Sequence, residues 1–164
     1  MSEKTPHDRL WELIKDIRFG MLTHRHPEGA LHAHPLTTQN KDLGEKGILY
    51  FFVSRKSELG QRLQRDGNVN VSYADPHRDA YVSIAGQARI NESLDDKERL
   101  FNTMSKAWFP GGAADPDLEL VEVQIQHAEY WDVKESKVTQ LMKIAAAAAG
   151  GDRPKLGEHH EVHV

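Results

Sequence analysis

The residues best suited to chemistry lie in one short run, Thr23 to Pro35, where His24, His26, His32 and His34 fall within eleven positions. Imidazole is a common zinc ligand, and zinc takes three or four donors with imidazole nitrogen at about 2.0–2.1 Å. Residues two apart in a strand share a face, which groups His24 with His26 and His32 with His34. Whether the two groups meet depends on the turn at Pro27-Glu28-Gly29. An even loop centred on Glu28-Gly29 sets Arg25 opposite His32 and sends the groups to opposite faces. An odd loop sets His24 opposite His32 and makes a cluster possible. No carboxylate stands at ligand spacing in the run, so the histidines are read as solvent-exposed or phosphate-contacting and no metal site is assigned. His159, His160 and His163 near the C-terminus are read as incidental chelators on a flexible tail.

Other catalytic signatures are missing from the sequence. There is no cysteine, hence no disulfide framework, thiolate nucleophile or cysteine-type zinc knuckle. Neither a Walker loop, a dinucleotide glycine fingerprint nor an HExxH pair occurs. Gly111-Gly112 precedes Asp115-Pro116-Asp117 rather than a capped helix, so it is a weak phosphate loop. The balance of 21 Lys and Arg against 25 Asp and Glu, a formal charge of −4, argues against a general nucleic-acid binder. No leader-like segment or membrane-length apolar run is present, and a cytoplasmic location is expected.

The elements that must position these residues follow from patterning. Leu10, Trp11, Ile14 and Ile17 recur at helical intervals from Pro6 to Ile17, with Thr5 placed as cap and Pro6 at the first position. Two strands then flank Pro27-Glu28-Gly29 as a hairpin. A third, aromatic strand follows residues 40–47, and a short helix starts at Ser57 and closes at Gly67. Two further strands are joined by Pro76-His77-Arg78, the second carrying Gly86 as a bulge or bend. Residues 93–108 are expected as one helix capped by Ser93, followed by a Gly- and Pro-rich loop. A long alternating strand runs from Leu118 to Val133, then a helix ends at Gly150-Gly151 and residues 152–164 are expected to be disordered. The fold class is mainly β (α+β): six antiparallel strands in a closed or partly closed barrel with flanking helices.

Four pieces in fixed order, Phe51-Phe52 with Ser57, NVNVSYAD from Asn68, WFPGG from Trp108 and EYWD from Glu129, resemble one known family. It is the general stress protein family among the pyridoxamine 5'-phosphate oxidase-like FMN-binding split barrels, and the resemblance runs from about Leu10 to Leu141. It implies a six-stranded antiparallel split β-barrel. Residues 1–141 would be the FMN-binding domain with its N-terminal helix, and residues 142–164 the end of the C-terminal helix and its tail. It further implies a homodimer with the flavin near the subunit interface and FMN as cofactor with FAD not excluded; the charge balance and the lack of a long apolar run set the expectation of no nucleic-acid or membrane partner.

By the same resemblance, backbone of His34, Pro35, Leu36 and Thr37 approaches the flavin ring, with Phe51, Phe52, Val53 and Ser54 alongside. Ser57 would meet the phosphate, Arg55 or Lys56 would supply charge, and Trp108 would shield the flavin, from the partner subunit. The chain also departs from the pattern. His34-Pro35-Leu36 stands where the family has Arg-Pro-Met, Ser57-Glu58-Leu59 where oxidases carry Ser-Arg-Lys, and Tyr81 where they carry a Gln. Each residue has a plainer role as well: Phe51 and Phe52 as core, Ser57 as helix cap, Trp108 as loop anchor, Arg55 and Lys56 as a solvated pair. The function implied is a flavin-binding general stress protein, with an NAD(P)H-dependent flavin oxidoreductase as alternative and a metal-binding histidine hairpin third. The departures count against pyridoxamine phosphate oxidation.

Overall fold

The structure is a computed structural model that describes residues 3–132, 137–151, 153–155 and 157–163. Helix α1 (Pro6–Ile14) begins in a reciprocal cap: the Asp8 N–H donates to Thr5 Oγ1 at 3.1 Å and the Thr5 N–H donates to Asp8 Oδ2 at 3.0 Å. It is shorter than its apolar spacing predicts. After Ile14 the chain loosens into turns, and Arg18 takes a left-handed φ of 64° that swings it into β1 (Phe19–Arg25).

β1 pairs antiparallel with β2 (Leu31–Thr37) and with β4 (Asn68–Asp75), which pairs with β5 (Ala80–Asn91). The long strand β6 (Leu118–Asp132) pairs with β5 on one side. On its other side it takes β3 (Ile48–Ser54) and then β7 (Glu158–His163). The ladder order is β2-β1-β4-β5-β6-β3 with β7 added on β6. β2 and β3 meet only through the bridge Thr38↔Phe51 and the Gln39 N–H to the Tyr50 carbonyl at 2.9 Å. The six strands therefore curl into a barrel that stays split between β2 and β3.

The interior is one apolar cluster. Alternate residues of the strands point into it, among them Leu22, Phe51, Val71, Ile84 and Val123, and α1 adds Leu10, Leu13 and Ile14. Gly20 lies where the Tyr73 ring crosses β1; a Cβ there would sit 2.9 Å from that ring. The Tyr73 hydroxyl bonds Thr38 Oγ1 at 2.6 Å beside the bridge that links the two edges. The bulge expected in β5 is present, a register shift between Ala85 and Gly86.

Two expectations need correction. Residues 93–108 form two helices, α3 (Leu94–Leu100) and α4 (Thr103–Trp108), because the Asn102 side chain accepts from the Met104 and Ser105 N–H groups and starts a new helix. The tail is not disordered where it is described: after α5 (Lys137–Gly150), β7 zips onto β6 and buries Val162, with His159 stacked on Trp131 at 4.8 Å. Val133, expected at the end of β6, and Asp152, Leu156 and Val164 of the tail lie outside the described residues. No helix among the described residues is long and apolar enough to cross a membrane.

Candidate functional site

The split between β2 and β3 opens into a groove of about 870 Å³, within the roughly 300–1,000 Å³ typical of small-molecule sites. β2 contributes His34, Pro35, Leu36 and Thr37 to its wall, and β3 contributes Phe52, Val53 and Ser54. Ser57 and Glu58 join from the start of α2 (Glu58–Leu63), and Trp108, 81% exposed, closes one side from α4. Pro35 sits on the edge strand, where a missing N–H leaves no central ladder bond unmade.

Four expected contacts do not line this groove. Phe51 alternates with Phe52 and therefore points into the core, fully buried. Phe52 faces the groove wall and packs near Phe109 and Phe101, with centroids at 6.5 and 6.2 Å. Arg55 turns to a separate polar pocket, where its Nε lies 3.4 Å from the buried Glu119. Lys56 enters the local structure through its backbone N–H, which contacts Ser54 Oγ and Asp117 Oδ1 at 3.3 Å each. Tyr81 is on the outer face of β5, opposite Trp131 of β6.

Ser57 is first a cap. Its hydroxyl donates to the Ser54 carbonyl at 2.6 Å and accepts from the Gly60 N–H at 3.0 Å. Asp117 receives the Ser54 hydroxyl at 2.7 Å, and that bond holds its carboxyl below the usual aspartate range. The lysine and arginine that line the groove are ones the motifs do not mark: Lys15 and Arg18, near the end of α1. Trp11, Lys15 and Arg18 recur at i, i+4 and i+7, a stripe that patterning could have flagged as one face. Arg18 Nη2 lies 2.9 Å from Met104 Sδ, tying α1 to α4 across the groove.

The hairpin takes the odd loop, and of its four histidines only His24 is buried rather than open to solvent. Pro27, Glu28 and Gly29 form a three-residue loop closed by the His26 N–H to the Ala30 carbonyl at 2.7 Å, with Gly29 at φ 94°. The loop is odd, so His24 pairs directly with His32 and Leu22 with His34. All four imidazoles consequently share the inner face. A carboxylate reaches them from a distant part of the sequence: Glu58 Oε1 lies 2.8 Å from His32 Nδ1 and 3.6 Å from His26 Nε2. His24 Nε2 meets His34 Nε2 at 3.0 Å with the rings stacked. His24 is 1% exposed, and its Nδ1 makes no hydrogen bond of good geometry among the described residues. Burial, then His34 beside it, pushes the His24 imidazole below its ordinary pKa. Partial desolvation pushes the Glu58 carboxyl up, but the His32 hydrogen bond and the neighbouring imidazoles outweigh it and hold the carboxyl below its ordinary value.

Comparison with known proteins agrees with this architecture. Residues 5–155 match the family model described as Pyridoxamine 5'-phosphate oxidase like. General stress protein 26 of Bacillus subtilis (strain 168) is 28% identical over 79 residues, which are 46% of this chain and 56% of that protein. That match therefore spans little more than half of the curated relative. The crystal structure of the general stress FMN/FAD binding protein from Xanthomonas citri is 30% identical with a TM-score of 0.68, covering 80% of this chain and 90% of that one. A Jannaschia sp. CCS1 protein assigned as general stress protein 26 shares the fold, with a TM-score of 0.72 at 21% identity over 94% of this chain and 95% of its own. With residues 5–155 of the 164 matched by the family model, and the split barrel carrying the four pieces in order, the chain belongs to the pyridoxamine 5'-phosphate oxidase like family.

Proposed function

We propose that this protein is a flavin-binding general stress protein that holds FMN in the groove at the barrel split. The observation that carries the reading is the groove itself, a slot of flavin size with an apolar wall from Leu36, Phe52 and Trp108 and polar groups at its margins. A bound flavin would supply electron or hydride transfer; the chain would supply binding, orientation and exclusion of water. In this reading Leu36 and Phe52 flank the ring, Trp108 covers it, and Lys15 and Arg18 provide the positive charge for the phosphate in place of Arg55 and Lys56.

Titrating tag-free protein with FMN and with FAD, followed by quenching of flavin fluorescence, tests the proposal. Saturable binding with FMN tighter than FAD is expected. Leu36→Arg should abolish it, and Arg18→Gln should weaken it about tenfold, the loss of one hydrogen bond to a charged group. Failure of wild-type protein to bind either flavin overturns the reading. Adding NAD(P)H to the loaded protein without air separates an oxidoreductase, whose flavin bleaches, from a stress protein without turnover, whose spectrum stays unchanged.

A cytoplasmic homodimer is part of the same proposal. Phe19, Met21 and Leu31 stand 58%, 41% and 67% exposed on the outer face of β1 and β2, a surface suited to burial against a second copy. Light scattering should report a dimer that Met21→Glu dissociates.

A further inference from the structure

The odd hairpin and α2 bring together more metal-ligating groups than the groove needs. We propose that His24, His32, His34 and Glu58 form a binding site for a late first-row divalent cation, zinc being the first candidate. The proposal does not rest on flavin binding.

Zinc held by imidazole and carboxylate at about 2.0–2.2 Å keeps its ligand atoms about 3.3 Å apart when the geometry is tetrahedral. The edges observed bracket that spacing: 3.0 Å between His24 Nε2 and His34 Nε2, 2.8 Å between His32 Nδ1 and Glu58 Oε1, and 4.0 Å between His34 Nε2 and Glu58 Oε2. Ligand atoms of His24, His32 and Glu58 all lie within 4.8 Å of one another. Edges of up to 4.8 Å must close to about 3.3 Å, and His34 must swing in from its 4.0 Å edge to Glu58, movements that rotation about the side-chain torsions supplies.

The donor set is held in place by its surroundings. Three imidazoles stand on a two-stranded ladder, so their spacing is fixed by strand register. His26 stacks on His32 with centroids 4.7 Å apart, which restrains that ring from outside. Glu58 is carried at the start of α2, whose position is set by the Ser57 cap and by Gly60, where an added Cβ would lie 2.3 Å from the Ser54 carbonyl oxygen. Imidazole and carboxylate donors suit zinc, copper and nickel rather than calcium or magnesium, which prefer all-oxygen ligation. The His34 and Glu58 side chains are 32% and 42% exposed, so an ion can enter from solvent.

Without a cation the site is poorly matched to itself. Only one of the facing nitrogens of His24 and His34 can donate to the other, and a single carboxylate serves three further imidazole contacts. A cation replaces these separate contacts with one shared centre.

The test uses the full, tag-free chain, stripped with a chelator, dialysed against zinc and assayed by elemental analysis and by competition with a chromophoric chelator. One zinc per chain is expected. Glu58→Gln and His32→Ala, both at half-exposed positions, should each weaken binding by about a hundredfold, the upper end of what even an outer-sphere partner contributes. Circular dichroism verifies that each variant folds. The double variant His127→Ala/His159→Ala, which removes both histidines that contact Glu129, should bind as wild type does. Absence of stoichiometric zinc, or zinc that survives Glu58→Gln and is lost in the double variant, overturns the proposal.

Discussion

Two groups of histidine and glutamate stand on the same sheet, and they are built on opposite terms. Near the chain end, His127 Nε2 meets Glu129 Oε1 at 3.0 Å and His159 Nε2 meets Glu129 Oε2 at 3.1 Å. Each imidazole there has a carboxylate oxygen of its own. In the hairpin, three imidazoles share one carboxylate, one of these faces the fourth, and a buried nitrogen of that fourth, His24, goes without a good partner. The residue types are the same. What differs is whether each imidazole meets a carboxylate oxygen of its own.

The largest expected effect comes from removing the support of the hairpin cluster. Gly60→Ala puts a methyl group into the Ser54 carbonyl and must push α2, and Glu58 with it, away from the hairpin. We expect a stability loss of about 1–3 kcal/mol by urea denaturation, typical of overpacking, together with weakened zinc binding. Deleting residues 157–164 takes β7 and His159 out of the other cluster. It should cost about 2 kcal/mol through loss of the buried Val162 side chain, while zinc stoichiometry stays unchanged.

His24→Leu sharpens the contrast at a single site. If the buried imidazole serves the fold, the change destabilises; if it serves a ligand, the fold does not need it. We expect equal or higher thermal stability without metal, by up to about 1 kcal/mol, since a poorly satisfied buried nitrogen is removed, and complete loss of zinc-dependent stabilisation. The smallest effect is one of pH. Hydrogen bonds from His127, then His159, hold Glu129 below its ordinary pKa of 4.5. A depressed carboxylate contributes stability that is present above its unfolded pKa and fades as pH falls through the folded one. Amide exchange in β7 should therefore quicken below about pH 4.5 more than exchange in β1.

The sequence carried much of the scaffold because local chemistry and tertiary structure agree there. Thr5 with Pro6, Ser57 and Ser93 all cap helices as their side chains predict, and Gly86 marks the bulge in β5. Asn102 was equally capable of starting a helix, yet the continuous helical pattern around it hid the break. The hairpin turned on parity. Pro27 suits the first corner of a type I turn and Gly29 the left-handed position after it, which together favour a three-residue loop. Nothing local could deliver Glu58, because its approach depends on how α2 packs against the strand ends. The cationic lining was missed for a related reason: the motifs point to Arg55 and Lys56, while packing of α1 against the split brings in Lys15 and Arg18 instead. β7 was hidden by its polarity, since a strand with one face on water carries few apolar residues to announce it.

The pairing of β6 with β5, β3 and β7 bears on how the chain is made. β3 emerges from the ribosome early, but its ladder partner is the stretch from Leu118 to Gln124. Until that stretch appears, β3 has its sparse bonds to residues 38–40 and an open, aromatic edge. Closure of the barrel therefore waits until the stretch from Leu118 is made, and the nascent chain carries an unpaired strand while residues 55–117 are added.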